Sequence, residues 1–369
     1  MQTAAIKFEK FQHSQDEECQ ERILAAREKL GKRLVILGHH YQHESVYRHA
    51  DLTGDSLKLS RHAAAADAEI IVFLGVHFMA EVADILSRPD QIVILPDLAA
   101  GCSMADMANL AKVERSRREL SKVLDFDEVI TPLTYINSAA DLKAFCGEHG
   151  GIVCTSTNAP KMLEWAFARR EKVLFFPDQN LGRWSGHKMG IPLEQMPVWD
   201  PRKPLGGVSD QVLRDSRVIL WHGYCSVHKR FTVEQIEQAR AQFPGVRVIV
   251  HPECPMEVVD AADEAGSTDY IKKAVEAAPA GTVFAIGTEI NMVQRLAKEH
   301  PDKTLFCLDP VVCPCSTMYR IHPAYLAWVL EAFERGEVLN RITVPEEIAA
   351  PARVALERML AANPAPQTR

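Results

Sequence analysis

No run of apolar residues in this 369-residue chain approaches the roughly 20 that a membrane-spanning helix requires. The opening stretch, Met1 to Arg33, lacks the apolar heart of a secretory signal and is peppered with Lys, Glu and Arg instead. Membrane insertion and secretion are therefore not expected, and a cytoplasmic location is. A basic excess is missing too. There are 42 Lys and Arg against 49 Asp and Glu, a formal charge of −7, whereas a protein that neutralises phosphates is generally basic. No nucleic-acid partner is expected. Disulfides are unnecessary for a chain long enough to bury a large core, and the nine cysteines are odd in number, so they read as reduced thiols. Nine exceeds what packing demands, which leaves some as candidate ligands. Composition is ordinary for a globular protein, 47% hydrophobic and 25% charged.

Short apolar, β-branched runs recur, each followed by a helical pattern. They are Leu34–Leu37, Ile70–Leu74, Ile92–Leu95, Ile152–Cys154, Val173–Phe176, Val218–Trp221, Val246–Val250, Val283–Ile286 and Thr304–Cys307, and a further strand is taken to end at Tyr135. Such runs read as buried parallel strands with crossover helices, which makes the class α/β. Internal spacing says more. His39 is followed at intervals of 17, 19 and 22 residues by Ser56, Gly75 and Asp97; His251 is followed at the same intervals by Thr268, Gly287 and Asp309. A middle copy is partial. Ser156 precedes Asp178 by 22 residues, and Tyr135 precedes Ser156 by 21 rather than 36, as though a segment were missing. Three homologous αβα domains are expected, at about 1–115, 116–225 and 226–345. A C-terminal helix and tail would fill 346–369, capped by Thr343, with Pro345 just inside, Glu346 and Glu347 at the positive end of the dipole, and Ile348, Val354, Leu356 and Leu360 packing inward.

In open parallel sheets ligands bind beyond the carboxyl ends of the strands, and those ends are chemically rich here. Gly38-His39-His40-Tyr41-Gln42 follows the first strand, and Gly54-Asp55-Ser56 opens a helix, with Ser56 either its cap or a hydroxyl offered to an anion. Tyr135-Ile136-Asn137 and Thr155-Ser156-Thr157-Asn158 suit a carboxylate or phosphate. In His251-Pro252-Glu253-Cys254 the His and Glu stand two apart on extended chain, so they point the same way and can act as acid–base partners. Cys102 follows Asp97 by five residues, Cys315 follows Asp309 by six, and Cys225 follows the last strand of the middle copy. One thiol from each repeat, with no evident fourth ligand, suits either zinc or a cubane iron–sulfur cluster. Cys19, Cys146, Cys154, Cys307 and Cys313 read as packing.

The set Gly38-His39-His40-Tyr41-Gln42, Gly101-Cys102-Ser103-Met104-Ala105, Tyr135-Ile136-Asn137-Ser138, Thr155-Ser156-Thr157-Asn158-Ala159, Pro177-Asp178-Gln179-Asn180-Leu181-Gly182, His222-Gly223-Tyr224-Cys225, His251-Pro252-Glu253-Cys254 and Cys313-Pro314-Cys315 closely resembles the quinolinate synthase family, the A protein of de novo NAD synthesis. The likeness runs from about residue 35 to 330, in order and without gaps. It implies three αβα domains in pseudo-threefold arrangement around one [4Fe–4S] cluster per chain, and condensation of iminosuccinate (iminoaspartate) with dihydroxyacetone phosphate to quinolinate, phosphate and water. By motif position it makes Cys102, Cys225 and Cys315 the iron ligands, leaving one iron open as a Lewis acid. It places His39, Ser56, Tyr135, Ile136, Asn137, Ser156, His251, Pro252, Glu253 and Thr268 against iminosuccinate. Glu253, supported by His251, is the expected acid–base, with Tyr41 and Tyr135 as further proton donors. The choice of Cys315 over Cys313 rests on alignment to the following Met318. An L-aspartate oxidase or dehydrogenase that supplies the imine is the expected protein partner. A segment near Gly182–Gly186 is a candidate to move over the site.

Two other readings use the same residues: a zinc-dependent hydrolase or aldolase, and a non-catalytic iron–sulfur sensor. The polar residues gather at strand ends, where a pocket belongs, and no basic helix offers a sensor its output surface.

Overall fold

The computed structural model describes residues 7–11, 14–311 and 314–364. Three sheets form. In the first, β1 (Leu34–His39), β2 (Leu52–Gly54), β3 (Ile70–Leu74) and β4 (Ile92–Ile94) run parallel in the order β4-β3-β1-β2. The second holds β5 (Ile130–Tyr135), β6 (Ile152–Cys154), β7 (Lys172–Phe176), β8 (Val198–Trp199) and β9 (Val218–Trp221), all parallel, in the order β6-β5-β7-β9-β8. The third holds β10 (Arg247–Val250), β11 (Glu264–Ala265), β12 (Val283–Gly287) and β13 (Thr304–Cys307), parallel, in the order β11-β10-β12-β13. A last strand, β14 (Arg341–Ile342), pairs antiparallel with β4.

Setting β8 and β14 aside, each sheet places its second strand beside its first, then the third, then the fourth. The middle copy therefore lacks no strand, and its expected register needs correcting. Ser156 follows β6, the second strand of its sheet, as Ser56 follows β2 and Thr268 follows β11. Asp178 follows the third strand, β7, and so is not the counterpart of Asp97, which follows the fourth.

The long strands are buried on both faces: all five residues of β3, an unbroken apolar run, and all six of β5, which includes two threonines, are buried. Two compact units result. One comprises Met1–Cys102, Glu289–Arg295 and Cys313–Val344 and contains the first sheet; the other comprises Ser103–Thr288, Leu296–Val312 and Pro345–Arg369 and contains the second and third.

The C-terminal helix, Glu346–Ala362, departs from expectation in detail. Pro345, not Thr343, is its N-cap, and Val344 between them donates its N–H to Asp84. Its buried stripe is Ala349, Ala352, Ala355, Leu356 and Met359, while Val354 faces solvent. Small residues let it lie close to the helix Ala140–Glu148: a Cβ on Gly147 would stand 1.9 Å from the carbonyl oxygen of Pro351. Cys313 and residues beyond 364 lie outside the described residues. No helix among the described residues is long and apolar enough to cross a membrane.

In the first unit His49 is buried, with Nε2 against the side-chain oxygen of Gln20. Burial first, then Arg27 and Arg48, push its pKa down to about 4. The fold thus favours the neutral ring, a contribution fully present above the unfolded value of about 6.5 and lost as pH falls from there towards 4. Replacing His49 with Gln is expected to flatten the fall in melting temperature between pH 6.5 and 4; a curve parallel to that of the parent would show that His49 does not titrate there.

Candidate functional site

In the second unit, the carboxyl ends of the second and third sheets build a buried polar network. Tyr135, the last residue of β5, donates its hydroxyl to Glu253 Oε1 at 2.7 Å. His228 Nδ1 meets Glu253 Oε2 at 2.8 Å, and His228 Nε2 meets the Thr288 hydroxyl at 3.1 Å. The His251 ring stacks on His228, with centroids 4.5 Å apart and planes 22° apart. The amide of Asn180 donates to the Glu253 carbonyl. Burial alone pushes a carboxyl up, but for Glu253 the adjacent His228 and the two hydrogen bonds outweigh it and hold the group below the ordinary carboxylate range. Glu253 is therefore ionised at neutral pH, a base and not an acid. Asp178, wholly buried as the cap of the helix Gln179–Lys188, goes the other way: burial and the Glu253 charge push it well up. Two neighbouring carboxyls driven in opposite directions are a pattern seen at acid–base sites.

The expected partner of Glu253, His251, meets it through the backbone. His251 Nδ1 accepts from the backbone N–H of Glu253 at 3.3 Å, and it is His228 that touches the carboxylate. Burial pushes the His251 pKa down to about 3, so its ring is neutral, and with Nδ1 accepting, its proton is assigned to Nε2. Next in the chain after Tyr135 come Ile136, whose N–H bonds to the Cys154 carbonyl, and Asn137, whose side-chain oxygen is buried with no hydrogen-bond partner. A buried amide oxygen left unpaired is costly unless a ligand satisfies it. Ser156 is buried in the turn after β6, Pro252 sits in the His251–Glu253 turn, and Thr268 is the first residue of the helix Thr268–Ala277. That helix is capped by Ser267, not by Thr268, which leaves the Thr268 hydroxyl with no capping duty.

The first unit repeats two of these devices. His39, at the end of β1, accepts on Nδ1 from the N–H of Tyr41 at 3.2 Å, as His251 does from Glu253. Ser56 opens the helix Ser56–Ala64, and Asp55 is the cap, so the expectation of Ser56 as a possible cap is corrected. Buried Arg295 holds the turn by donating to the carbonyls of His40 and Gln42.

Of the described cysteines, Cys19, Cys146, Cys154 and Cys254 are buried, and burial pushes all four thiols up, away from ligation. Cys102, Cys225, Cys307 and Cys315 are partly exposed. Three of these share one local structure. Cys102, Cys225 and Cys315 each precede a single 3₁₀ turn on the third to fifth residues after the cysteine: Ala105–Met107, His228–Arg230 and Met318–Arg320. Cys307 instead ends β13. The chemistry of the set, three accessible thiols in matching turns, fits a thiolate-held metal group. Cys225 Sγ, a His228 nitrogen and a Glu253 oxygen also lie within 4.8 Å of one another, a spacing compatible with a cation. Glu289, pushed up to about 7 chiefly by burial, accepts the N–H of Cys315 at 3.2 Å.

With the geometry in view, the comparisons decide the family. The family model described as quinolinate synthetase A protein matches residues 21–361. The chain belongs to that family. Quinolinate synthase of Corynebacterium glutamicum is 62% identical over 97% of this chain and 91% of its own length. Those of Rhodopirellula baltica and Geobacillus kaustophilus are 53% and 55% identical, over 95% and 93% of this chain and 92% and 93% of their own lengths. The chain is an enzyme of the quinolinate synthetase A family.

His228, Thr288, Glu289 and Arg295 were not singled out by sequence. For His228 a signal existed, its place three residues after Cys225. The segment Gly182–Gly186 is not a loop but the middle of the helix Gln179–Lys188, where a Cβ on Gly182 would meet Leu220 at 2.6 Å; nothing in that packing suits a closing flap.

Proposed function

We propose that the enzyme condenses iminosuccinate with dihydroxyacetone phosphate to give quinolinate, phosphate and water. The observation that carries this reading is the ionised, buried Glu253 held between Tyr135 and His228. Each oxygen of Glu253 keeps a second lone pair, so it can take a proton from substrate while still held by both partners. Neutral His251 donates to substrate oxygens through Nε2–H and Tyr41 does so in the first unit, while Tyr135, whose one hydroxyl proton is held by Glu253, donates to substrate only once that bond is given up. The hydroxyls of Ser56, Ser156 and Thr268 and the amide of Asn137 bind the two carboxylates, with Ile136 and Pro252 shaping the seat. His39 offers the same Nε2–H as His251, by the same turn.

Cys102, Cys225 and Cys315 are the residues that would hold one [4Fe–4S] cluster. When bound, it supplies an iron without a cysteine, a Lewis acid suited to loss of water. Reaction in the cytoplasm, with the imine delivered by an L-aspartate oxidase or dehydrogenase, completes the reading.

The test is anaerobic purification, iron and sulfide analysis, and incubation with enzymatically generated iminosuccinate and dihydroxyacetone phosphate. A brown protein with about four irons that forms quinolinate is expected. A colourless protein that binds a single zinc and forms none would favour the hydrolase or aldolase reading.

A further inference from the structure

The three cysteine turns share only the serine that follows the thiol, and their fifth residue carries a pattern of its own. After Cys225 it is Arg230, whose Nε and Nη2 lie 3.0 and 2.8 Å from Asp309 Oδ2. After Cys315 it is Arg320, whose Nε lies 2.8 Å from Asp97 Oδ2. Asp97 and Asp309 are counterparts in the repeat, one following β4 and the other β13. Each spends its other oxygen in the same way: Asp97 Oδ1 accepts from the N–H of Ala99, and Asp309 Oδ1 from that of Val311, both at 2.9 Å. Each aspartate is thus braced within its own loop and offers one fixed oxygen to an arginine. Both carboxylates are more than nine-tenths covered, so the pairs are charge-assisted and only partly screened.

The placement of these pairs along the chain is specific. Asp97 stands on the loop that leads to Cys102, and Asp309 on the loop that leads to Cys315. Arg320 therefore ties the turn after Cys315 to the approach to Cys102, and Arg230 ties the turn after Cys225 to the approach to Cys315. After Cys102 the fifth residue is Met107, and its partner is uncharged. Met107 accepts the Trp221 indole N–H on its carbonyl at 3.1 Å and the Tyr224 N–H on its sulfur at 3.4 Å, on the loop that leads to Cys225. No aspartate stands on that loop, which runs Trp221-His222-Gly223-Tyr224.

We propose that Arg230–Asp309 and Arg320–Asp97 are positioning pairs, latches that hold the cysteine loops in register for the metal group and so set how tightly it is retained. The inference rests on the reading of Cys102, Cys225 and Cys315 as ligands. Loops without regular structure have no ladder to fix a thiolate's position; two fixed ion pairs and one neutral contact supply it. Groups that orient metal ligands without touching the metal typically change retention by ten- to a hundredfold.

The experiment follows iron release from the anaerobic holoenzyme to a ferrous chelator, by visible absorbance, for the parent and for Arg230→Met, Arg320→Met, Asp97→Asn and Asp309→Asn. Release about tenfold faster is expected in each. Arg320→Met combined with Asp97→Asn should be no faster than either alone, and Arg→Lys should recover part of the loss. Release from the parent should quicken with added salt, whereas release from the Met variants should not. Arg247→Met, which breaks an ion pair to Glu264 elsewhere, should leave the rate unchanged. Release at the parental rate from the latch variants, or equal acceleration in Arg247→Met, would overturn the latches while leaving the cluster reading intact. A parent that holds no iron would overturn both.

Discussion

Glu253→Gln is expected to lower turnover by about 10²- to 10⁴-fold while leaving iron content and fold in place. The substitution keeps the side chain's size and the oxygen that accepts from Tyr135. Its new amide N–H₂ can donate to His228 Nδ1 if that ring moves its proton to Nε2, where the Thr288 hydroxyl can accept it. The network therefore survives, and only the negative charge and the basic lone pairs are lost. Because the parent carboxyl is held below the ordinary range by His228, the parent should keep its activity well into mildly acidic solution, as far as Glu253 governs it. His228→Gln should move the acid limb of the pH–rate profile upward, since burial then acts on Glu253 with less opposition. Steady-state turnover across pH checks both. A Glu253→Gln enzyme within a few-fold of the parent would remove Glu253 from the proton chemistry.

The second large effect concerns the thiols. Replacing Cys102, Cys225 or Cys315 with Ala is expected to strip most of the iron and sulfide. Replacing Cys254, Cys146 or Cys307 is expected to leave both at the parental level. The division follows from environment for Cys254, sealed in the core, where burial and the adjacent Glu253 charge push its thiol well up and its sulfur rests 3.7 Å from the Gly287 carbonyl, and from place for Cys307, which ends β13 and precedes no 3₁₀ turn of the shared kind. Metal analysis after anaerobic purification separates the two groups. Cys313→Ser alongside Cys315→Ser tests the choice between those neighbours, and iron retained without Cys315 but lost without Cys313 would reverse it.

Much of this architecture is legible in the sequence, and what is not has a common cause. The runs at 34–37, 70–74, 92–95, 152–154, 173–176, 218–221, 246–250, 283–286 and 304–307 all fall on strands. Of the other five described strands, β5 was placed only by its end at Tyr135, and β2, β8, β11 and β14, which left no signal, are all edges of their sheets. An edge strand pairs on one side only and needs no continuous apolar run, so two or three residues of mixed polarity suffice. The middle repeat was misregistered because its Ser-to-Asp spacing of 22 coincides with the Gly-to-Asp spacing of the other two; only strand order separates them. At the strand ends, the candidate residues stand out in the sequence because their types are chemically conspicuous. His228 escaped because its partner Glu253 is 25 residues away, and Arg295 because its work is done on carbonyls that have no side-chain signature.

The turn shared by His39 and His251 has a consequence for how two copies of one unit come to do different chemistry. In both, the ring's Nδ1 is occupied by the backbone N–H two residues on, and every residue except proline carries that group. The choice of which nitrogen keeps the proton is thereby written into the main chain and is indifferent to the side chain at the second position. One copy carries a phenol there, Tyr41, and the other a carboxylate, Glu253. A duplicated turn of this kind passes on a proton's address while leaving its neighbour free to become either a donor or a base.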